Sequence, residues 1–177
     1  TGNGNDGTST ISRDTTRAYI GSASLKTVST ATGAPSYSYF YGNVGFTQGA
    51  IYTKSIYVRG SGSLEISGRI NYTDASRDDG AVTTVVLTDS WQRVIPAAMT
   101  ANGAKTISNQ IILMQPTNLN ASMIWWATCA QNELKAYATS YCDGTLGTGH
   151  AWLGSTHASA STRTAMRLLC DEGNRIS

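Results

Sequence analysis

The side chains best suited to chemistry lie in the segment Gln48–Asn71, QGAIYTKSIYVRGSGSLEISGRIN. Two runs in this segment alternate apolar and polar residues on either side of Gly60-Ser61-Gly62, and we predict that they form a β-hairpin with one buried face. The face opposite the apolar one carries Tyr57, Arg59, Glu65, Arg69 and Asn71. An aromatic ring beside guanidinium, carboxylate and amide groups can stack on a polar ring and hydrogen-bond to it.

Neighbouring segments supply three further candidates, Tyr39, Gln110 and Trp125. Tyr39 belongs to a one-sided tyrosine stripe, which is either half of the core or a wall of a cleft; we favour the cleft because Phe40 supplies the opposite, apolar face. Trp125 and Trp126 point to opposite faces of one strand, so one is core and the other is a candidate stacking platform, for which we choose Trp125. A solvated sheet face with cross-strand ion pairs, each contributing about 0.2–1 kcal/mol, explains the polar set equally well.

Catalysis is not indicated by the acidic residues or the histidines. A glycosidase needs two carboxylates that converge across a cleft, whereas here four aspartates fall in predicted loops and Glu65 stands alone on its strand. His150 and His157 lie near the C-terminus without a Gly-x-Ser-x-Gly elbow. We therefore predict that the protein is not an enzyme.

Charge and hydropathy exclude two classes of partner. The formal net charge is +2, only 14% of residues are charged, and no run of Lys or Arg interleaves with aromatic residues, so we predict no nucleic-acid partner. No apolar stretch approaches the roughly 18 residues that would cross a bilayer, so we predict no membrane partner. Abundant Ser, Thr, Asn and Gly are typical of extracellular β-proteins.

The three cysteines, Cys129, Cys142 and Cys170, do not define a metal site or a redox compartment. They cannot all pair within one chain, and none forms a C-x-x-C pair or has zinc-ligand spacing to a histidine. We interpret them as buried small side chains or free thiols, with one disulfide as the alternative. We predict no cofactor.

Short apolar segments separated by turn residues must position these side chains. Beside the two runs around Gly60–Gly62, we predict strands over residues 8–13, 17–20, 24–29, 36–41, 81–88, 91–95, 106–114 and 123–131. Residues 73–80 are predicted to form a loop, and residues 160–170 are the one candidate helix. Strands spaced by about ten to twelve residues predict an all-β fold, an antiparallel β-sandwich of the jelly-roll type.

The composition changes after Cys142. Residues 143–177 are rich in Gly, Ser and Thr, and we interpret them as an extended appendage or connector that follows a sandwich of residues 1–142. Trp152, Leu168 and Leu169 need a partner surface there. We predict that they contact the sandwich, another subunit or a following domain.

Four segments occur in an order that carries a family resemblance. They are Gly21–Lys26 (GSASLK), Tyr52–Arg59 (YTKSIYVR), Thr88–Arg93 (TDSWQR) and Ala130–Glu133 (AQNE). They resemble, in turn, the G-S-x-S-L-K, Y-T-x-S-x-Y-V-R, T-x-x-W-Q-R and D-A-V-Q-L-E segments of family 4/9-type carbohydrate-binding modules. The resemblance spans roughly residues 21–143 and implies a jelly-roll sandwich with a concave sheet that can hold a glycan and no catalytic activity.

Two further features refine this resemblance. Ala138–Gly144 and Ala151–Ser159 resemble the A-T-x-Y-F-D-G … W-x-G-T-x-H-A-S tail that follows such modules in bacteriophage tail and virion proteins. The modules often bind a structural calcium through the aspartate of D-A-V-Q-L-E, where this sequence has Thr128. A structural calcium stays an alternative that we do not assume, because Asp6 could contribute a ligand but cannot alone complete a site of six to eight oxygens.

These features together predict a non-catalytic adhesion module of a phage-type tail or virion protein, located in the virion. It would bind a cell-surface or cell-wall polysaccharide by aromatic stacking and hydrogen bonding, and it would contact other virion subunits as a homo-oligomer. The alternative is a structural or decoration domain whose aromatic residues and appendage make protein contacts.

Overall fold

The regular structure of the described residues is entirely β. The computed structural model describes residues 2–6, 9–33, 37–42, 46–142, 146–153 and 161–163. Its strands are β1 (Gly2–Asp6), β2 (Ser9–Asp14), β3 (Ser24–Ser29), β4 (Tyr37–Gly42), β5 (Ile51–Gly60), β6 (Ser63–Tyr72), β7 (Arg77–Asp79), β8 (Thr83–Val86), β9 (Gln92–Val94), β10 (Met99–Thr100), β11 (Ile107–Pro116), β12 (Met123–Glu133), β13 (His150–Trp152) and β14 (Ser161–Arg163). No helix in these ranges has the length and apolarity that a bilayer span requires. The chain divides into two compact units, Thr1–Tyr141 and Cys142–Ser177.

Two antiparallel sheets form the first unit. Sheet 1 has the order β1-β4-β11-β6-β7, with β8 also paired to β6, and sheet 2 has the order β10-β5-β12-β3-β2, with β9 also paired to β5. Each sheet is six-stranded within the described residues. The predicted all-β jelly-roll sandwich is confirmed.

Alternation along the strands decides which side chains meet between the sheets. Ile56 and Val58 of β5 are fully buried, as are Leu64 and Ile66 of β6, while their sequence neighbours point outward. The main core cluster comprises Ile56, Val58, Leu64, Ile66, Leu87, Val94, Ile112, Met114, Met123, Trp125 and Ala127. A second cluster comprises Tyr52, Ile70, Tyr72, Met99, Ala101 and Ile107.

A polar layer separates the two core clusters. Lys54 lies between Tyr52 and Ile56 on the inward face of β5, is 2% exposed, and donates from Nζ to Oε1 of Gln110 at 2.9 Å. Gly68 of β6 leaves room for this lysine, since a Cβ there would lie 3.0 Å from its Cδ. Burial lowers the pKa of Lys54 from 10.5 to about 8.

The predicted β-hairpin is wrong, because β5 and β6 belong to opposite sheets. β5 pairs with β12, β9 and β10, whereas β6 pairs with β11, β7 and β8. Gly60-Ser61-Gly62 is therefore an arch that carries the chain from one sheet to the other. The alternation identifies the inward faces correctly in both cases, since the same residues face the core whether two strands pair beside or across from each other.

Several element boundaries also differ from the prediction. Residues 17–20 form no strand, the loop predicted over 73–80 contains β7, and the buried strand predicted over 81–88 is the four-residue β8 with Val86 68% exposed. Of the helix predicted over 160–170, Ser161–Arg163 is strand β14 and the rest lies outside the described residues.

The second unit contains the antiparallel pair β13–β14, in which Trp152 lies opposite Ser161. Ser161 also donates from its hydroxyl to the carbonyl oxygen of Cys142 at 2.9 Å. The predicted contact residues Leu168 and Leu169 lie outside the described residues, as does the Trp152 side chain. Their contact role stays a prediction.

Candidate functional site

The outward face of sheet 1 gathers four of the predicted site residues, Tyr39, Glu65, Arg69 and Asn71. Leu113 on β11 lies opposite Tyr39 on β4 and also opposite Ser67 on β6, so these three residues form one row across the sheet. In the next row, Ile111 links Tyr41 to Arg69, and Asn71 lies opposite Asn109. We call the outward surface of β4, β11, β6 and β7 the sheet 1 face.

Two half-buried tyrosines form the aromatic side of the sheet 1 face. Tyr39 and Tyr41 have ring centroids 6.2 Å apart, with their planes inclined at 51°. Phe40, which lies between the two tyrosines, packs against the main core cluster, and Ser38, which precedes them, is fully buried. The alternation of β4 therefore directs both rings outward. The tyrosine stripe is therefore on the outside of the sandwich, as expected for a cleft wall.

Polar groups on β6, β7 and β11 form the other side. Arg69 donates from Nε to Oδ1 of Asp79, whose other oxygen lies 3.1 Å from Nε of Arg77. Asn71 donates from Nδ2 to Oδ1 of Asn109 at 2.7 Å. These hydrogen bonds and ion pairs orient the donors and acceptors of the sheet 1 face, and its two arginines are matched in number by the carboxylates of Asp79 and Glu65.

Tyr57 and Arg59 do not belong to the sheet 1 face, contrary to the prediction. Because β5 lies in sheet 2, both side chains point outward on the opposite surface of the sandwich. Tyr19 stacks on Tyr57 with ring centroids 4.0 Å apart and planes inclined at 19°, so one side of the predicted stacking platform is covered. Hydrogen bonding to Tyr19 and burial raise the pKa of Tyr57. Arg59 pairs with Asp89.

Gln110 and Trp125 are interior residues, so their assignment to a binding face is wrong. Gln110 is 3% exposed and bonds to Lys54, and Trp125 is fully buried in the main core cluster. The outward tryptophan is Trp126. Met123 and Ala127 lie two positions before and after Trp125, so the three side chains share one face of β12. These apolar neighbours are the signal in the sequence that could have identified Trp125 as a core residue.

Sequence analysis missed several residues of the sheet 1 face, namely Asn109, Ile111, Leu113, Gln115 and Asp79. The first four occupy alternate positions of β11. That strand pairs with both β4 and β6, so its outward residues necessarily lie between the tyrosines and the polar groups. Asp79 was assigned to a loop because three consecutive charged residues, Arg77–Asp79, carry no strand signal.

Metal ligands do not cluster in the described part of the chain. No group of three or more His, Cys, Asp or Glu side chains there could hold an ion. Thr128, at the position where the resembling modules have an aspartate, is buried and contacts Sγ of Cys129 at 3.7 Å.

The sandwich has the fold of carbohydrate-binding modules. No protein-family model and no curated protein matches the chain. The CBM22-1 xylan-binding domain of Paenibacillus barcinonensis Xyn10C is similar over 77% of this chain and 88% of its own, with a TM-score of 0.57 and 15% identity. A xylan-binding domain from CBM 22 gives a TM-score of 0.56 at 12% identity over 77% of this chain and 89% of its own.

A third similar structure is the CBM22-1-GH10 portion of Clostridium thermocellum Xyn10B in complex with xylohexaose. It has a TM-score of 0.55 and 14% identity, and the match covers 77% of this chain and 27% of that one. At these identities the similarity establishes the shared fold. The function has to be argued from the surface itself.

Proposed function

We propose that the sheet 1 face binds a glycan chain without catalysing any reaction on it. The observation that carries this proposal is the arrangement of Tyr39 and Tyr41 beside the ordered polar groups of Arg69, Asn71 and Asp79. Sugar rings present apolar faces that stack on aromatic rings, and hydroxyls that bond to amides, guanidinium groups and carboxylates. The fold shared with xylan-binding domains supports the proposal.

The balanced charge of the face favours a neutral sugar over an acidic one. Arg69 and Arg77 both pair with Asp79, and Glu65 of β6 lies on the same face, so two carboxylates match the two guanidinium groups in number. Ile111 and Leu113 separate the tyrosines from the polar side and provide an apolar floor. A chain lying across β4, β11 and β6 would stack at one end and hydrogen-bond at the other.

We further propose that the module serves a phage-type tail or virion protein and recognises a cell-surface or cell-wall polysaccharide of the host. Support for this setting is the resemblance of Ala138–Gly144 and Ala151–Ser159 to virion-protein tails. A shallow face of this kind gives weak binding to each site. Several copies in one assembly would raise the apparent affinity through avidity.

The test is binding of the purified chain to xylan and to a panel of bacterial cell-wall and capsular polysaccharides, with Tyr39→Ala and Tyr41→Ala as variants. Each variant should weaken binding by about tenfold, which corresponds to about 1.4 kcal/mol of lost stacking. Tyr137→Ala is the matched control, because Tyr137 is a 66% exposed tyrosine that lies beyond the last strand of the sandwich. It should bind like the unmodified chain.

Two results would contradict the proposal. Equal losses in Tyr39→Ala and Tyr137→Ala would show that binding does not depend on the sheet 1 face. Failure to bind any polysaccharide, together with concentration-dependent self-association in light scattering, would favour the structural role in which the aromatic residues and the second unit contact protein.

A further inference from the structure

The opposite surface of the sandwich carries a second set of aromatic and charged side chains. Trp126 of β12 lies in register between Lys26 of β3 and Arg59 of β5, and Tyr57 lies opposite Arg93 of β9. The segment between β2 and β3 adds two more side chains above these strands. We call this set the basic face; it comprises Arg17, Tyr19, Lys26, Tyr57, Arg59, Trp91, Arg93 and Trp126.

Aromatic rings orient every cation of the basic face. The guanidinium carbon of Arg17 lies 4.3 Å from the ring centroid of Trp126, and Nζ of Lys26 lies 5.9 Å from the same centroid. Arg93 lies 5.9 Å from the Tyr57 ring and donates to Oγ of Ser55 at 2.8 Å. Cations held on rings in this way lose little conformational freedom when they bind a ligand.

Asp14 fixes the segment that carries Arg17 without neutralising its guanidinium. Oδ1 accepts from the hydroxyl and backbone N–H of Thr16, both at 2.7 Å, and Oδ2 accepts from Nε1 of Trp126 at 2.7 Å. The hydroxyl of Thr16, followed by the indole of Trp126, holds the pKa of Asp14 below its usual range. The carboxylate is therefore occupied by neutral donors.

The charges of this surface are not balanced as those of the sheet 1 face are. Arg59 pairs with Asp89, but no ion pair of the described residues involves Arg17, Lys26 or Arg93. Three oriented cations on one surface of the sandwich, in a protein with a net charge of only +2, form a surface complementary to anions.

The arrangement suits carboxylates that are carried on sugar rings. Tyr19 is 42% exposed and, with Trp91 at 6.2 Å, offers a ring on which a sugar can stack between the cations. A planar guanidinium matches a carboxylate through two parallel hydrogen bonds.

We propose that the basic face is a second binding site, specific for a carboxylate-bearing polysaccharide of the polyuronate type. Arg17 and Lys26 on Trp126, and Arg93 on Tyr57, bind the carboxylates, while Tyr19 and Trp91 contact the sugar rings. This proposal does not depend on glycan binding by the sheet 1 face, because the two surfaces share no residue.

The test is binding of the full chain to polygalacturonate, with fully methyl-esterified polygalacturonate as the uncharged counterpart. The variant Arg17→Gln/Lys26→Gln should weaken polygalacturonate binding by at least about tenfold, because two charge-assisted contacts are lost. The binding should also weaken as salt rises, and the methyl ester should not compete. Arg77→Gln/Lys105→Gln is the matched control, because it removes the same charge from cations that pair with Asp79 and Asp74, outside the basic face. It should change the affinity less than about twofold.

Tyr39→Ala separates this proposal from the one for the sheet 1 face, because it should leave polygalacturonate binding unchanged. The proposal is overturned if polygalacturonate does not bind, if both double variants weaken it equally, or if the methyl ester binds as tightly as the acid. Tighter binding of a single-stranded DNA oligonucleotide, lost in Arg17→Gln/Lys26→Gln, would also overturn it in favour of a nucleic-acid site.

Discussion

Lys54 shows how a single polar side chain can be buried in a sandwich core. The lysine has no carboxylate partner among the described residues, and its Nζ contacts only Oε1 of Gln110 and Sδ of Met99, at 2.9 and 3.9 Å. A buried ammonium without a counter-ion is costly, which is why its pKa falls to about 8. The polar layer of Lys54 and Gln110 therefore reduces the stability of the fold at neutral pH.

Replacing this layer with apolar side chains should stabilise the protein. We expect Lys54→Met/Gln110→Met to raise the free energy of unfolding at pH 7 by about 1–3 kcal/mol, because the buried charge is removed without leaving an unpaired amide. Urea denaturation of both proteins measures the difference.

The pH dependence identifies the cause of that gain. Below pH 8 the lysine is protonated in the folded and unfolded states, and above about 10.5 it is neutral in both. The folded state binds fewer protons between these values, so the unmodified protein gains stability there as pH rises. The advantage of the double variant should shrink from pH 8 to 10.5; a constant advantage would show that packing, rather than charge, is responsible.

For individual side chains, alternation in the sequence identifies which residues share a face of a strand, and it identifies the inner face where that face is apolar. Tyr39, Glu65, Arg69 and Asn71 face outward as predicted, because apolar residues occupy most of the positions next to them in the sequence. Gln110 was wrongly predicted to face outward, because its buried amide bonds to Lys54, a residue 56 positions away in the sequence. Such a pairing has no local signal.

At the element scale, the arch at Gly60–Gly62 is the feature that sequence analysis could not predict. A short Gly-Ser-Gly connection between two alternating runs is a hairpin signal, and an arch between sheets has the same pattern. Only the pairing partners distinguish them, and these are distant: β12 for β5 and β11 for β6. The short strands β7 and β10 were missed because sheet pairing, rather than their own composition, makes them strands.

Close packing at the arch predicts a strong effect of one methyl group. Gly60 has a φ of +149°, and a Cβ there would lie 2.6 Å from the carbonyl oxygen of Ile124 and 3.0 Å from Cα of Trp125. These are backbone atoms of the central strand of sheet 2, so they cannot move aside cheaply. We expect Gly60→Ala to lower the free energy of unfolding by about 3 kcal/mol or more.

Gly21→Ala is the matched control for this substitution. Gly21 also has a positive φ, +79°, but no atom lies within 4 Å of the added Cβ. Gly21→Ala should lower the free energy of unfolding by only about 1 kcal/mol, which is the cost of the backbone strain. Equal losses in the two variants, measured by urea denaturation, would show that backbone conformation and not the contact with β12 makes Gly60 necessary.

At the scale of the whole molecule, the sandwich presents two faces with different electrostatics. Sheet 1 pairs its arginines with Asp79, whereas sheet 2 leaves three cations without carboxylate partners among the described residues. The sequence predicted the jelly-roll class because strand spacing and alternation are local properties. It could not divide the polar residues between the two faces, because that division depends on which strands join which sheet.

The first unit has every described core residue and should therefore fold by itself. Both core clusters and both sheets lie within Thr1–Tyr141. Its C-terminal end is tied to the sandwich, since Glu133 accepts from the backbone N–H and hydroxyl of Thr139 at 2.9 and 2.6 Å, and Thr53 donates to the carbonyl oxygen of Lys135 at 2.8 Å. We expect a fragment of residues 1–141 to unfold cooperatively, with a free energy of unfolding within about 1 kcal/mol of that of the full chain.

A shorter fragment and light scattering complete this test. Residues 1–121 lack β12, which pairs with β5 and β3 and carries the buried Trp125, so this fragment should not fold. If Trp152, Leu168 and Leu169 contact another copy, the full chain should self-associate with rising concentration and the 1–141 fragment should stay monomeric. An unfolded 1–141 fragment would instead show that the sandwich needs residues beyond Tyr141, because every apolar contact of its described core would still be available.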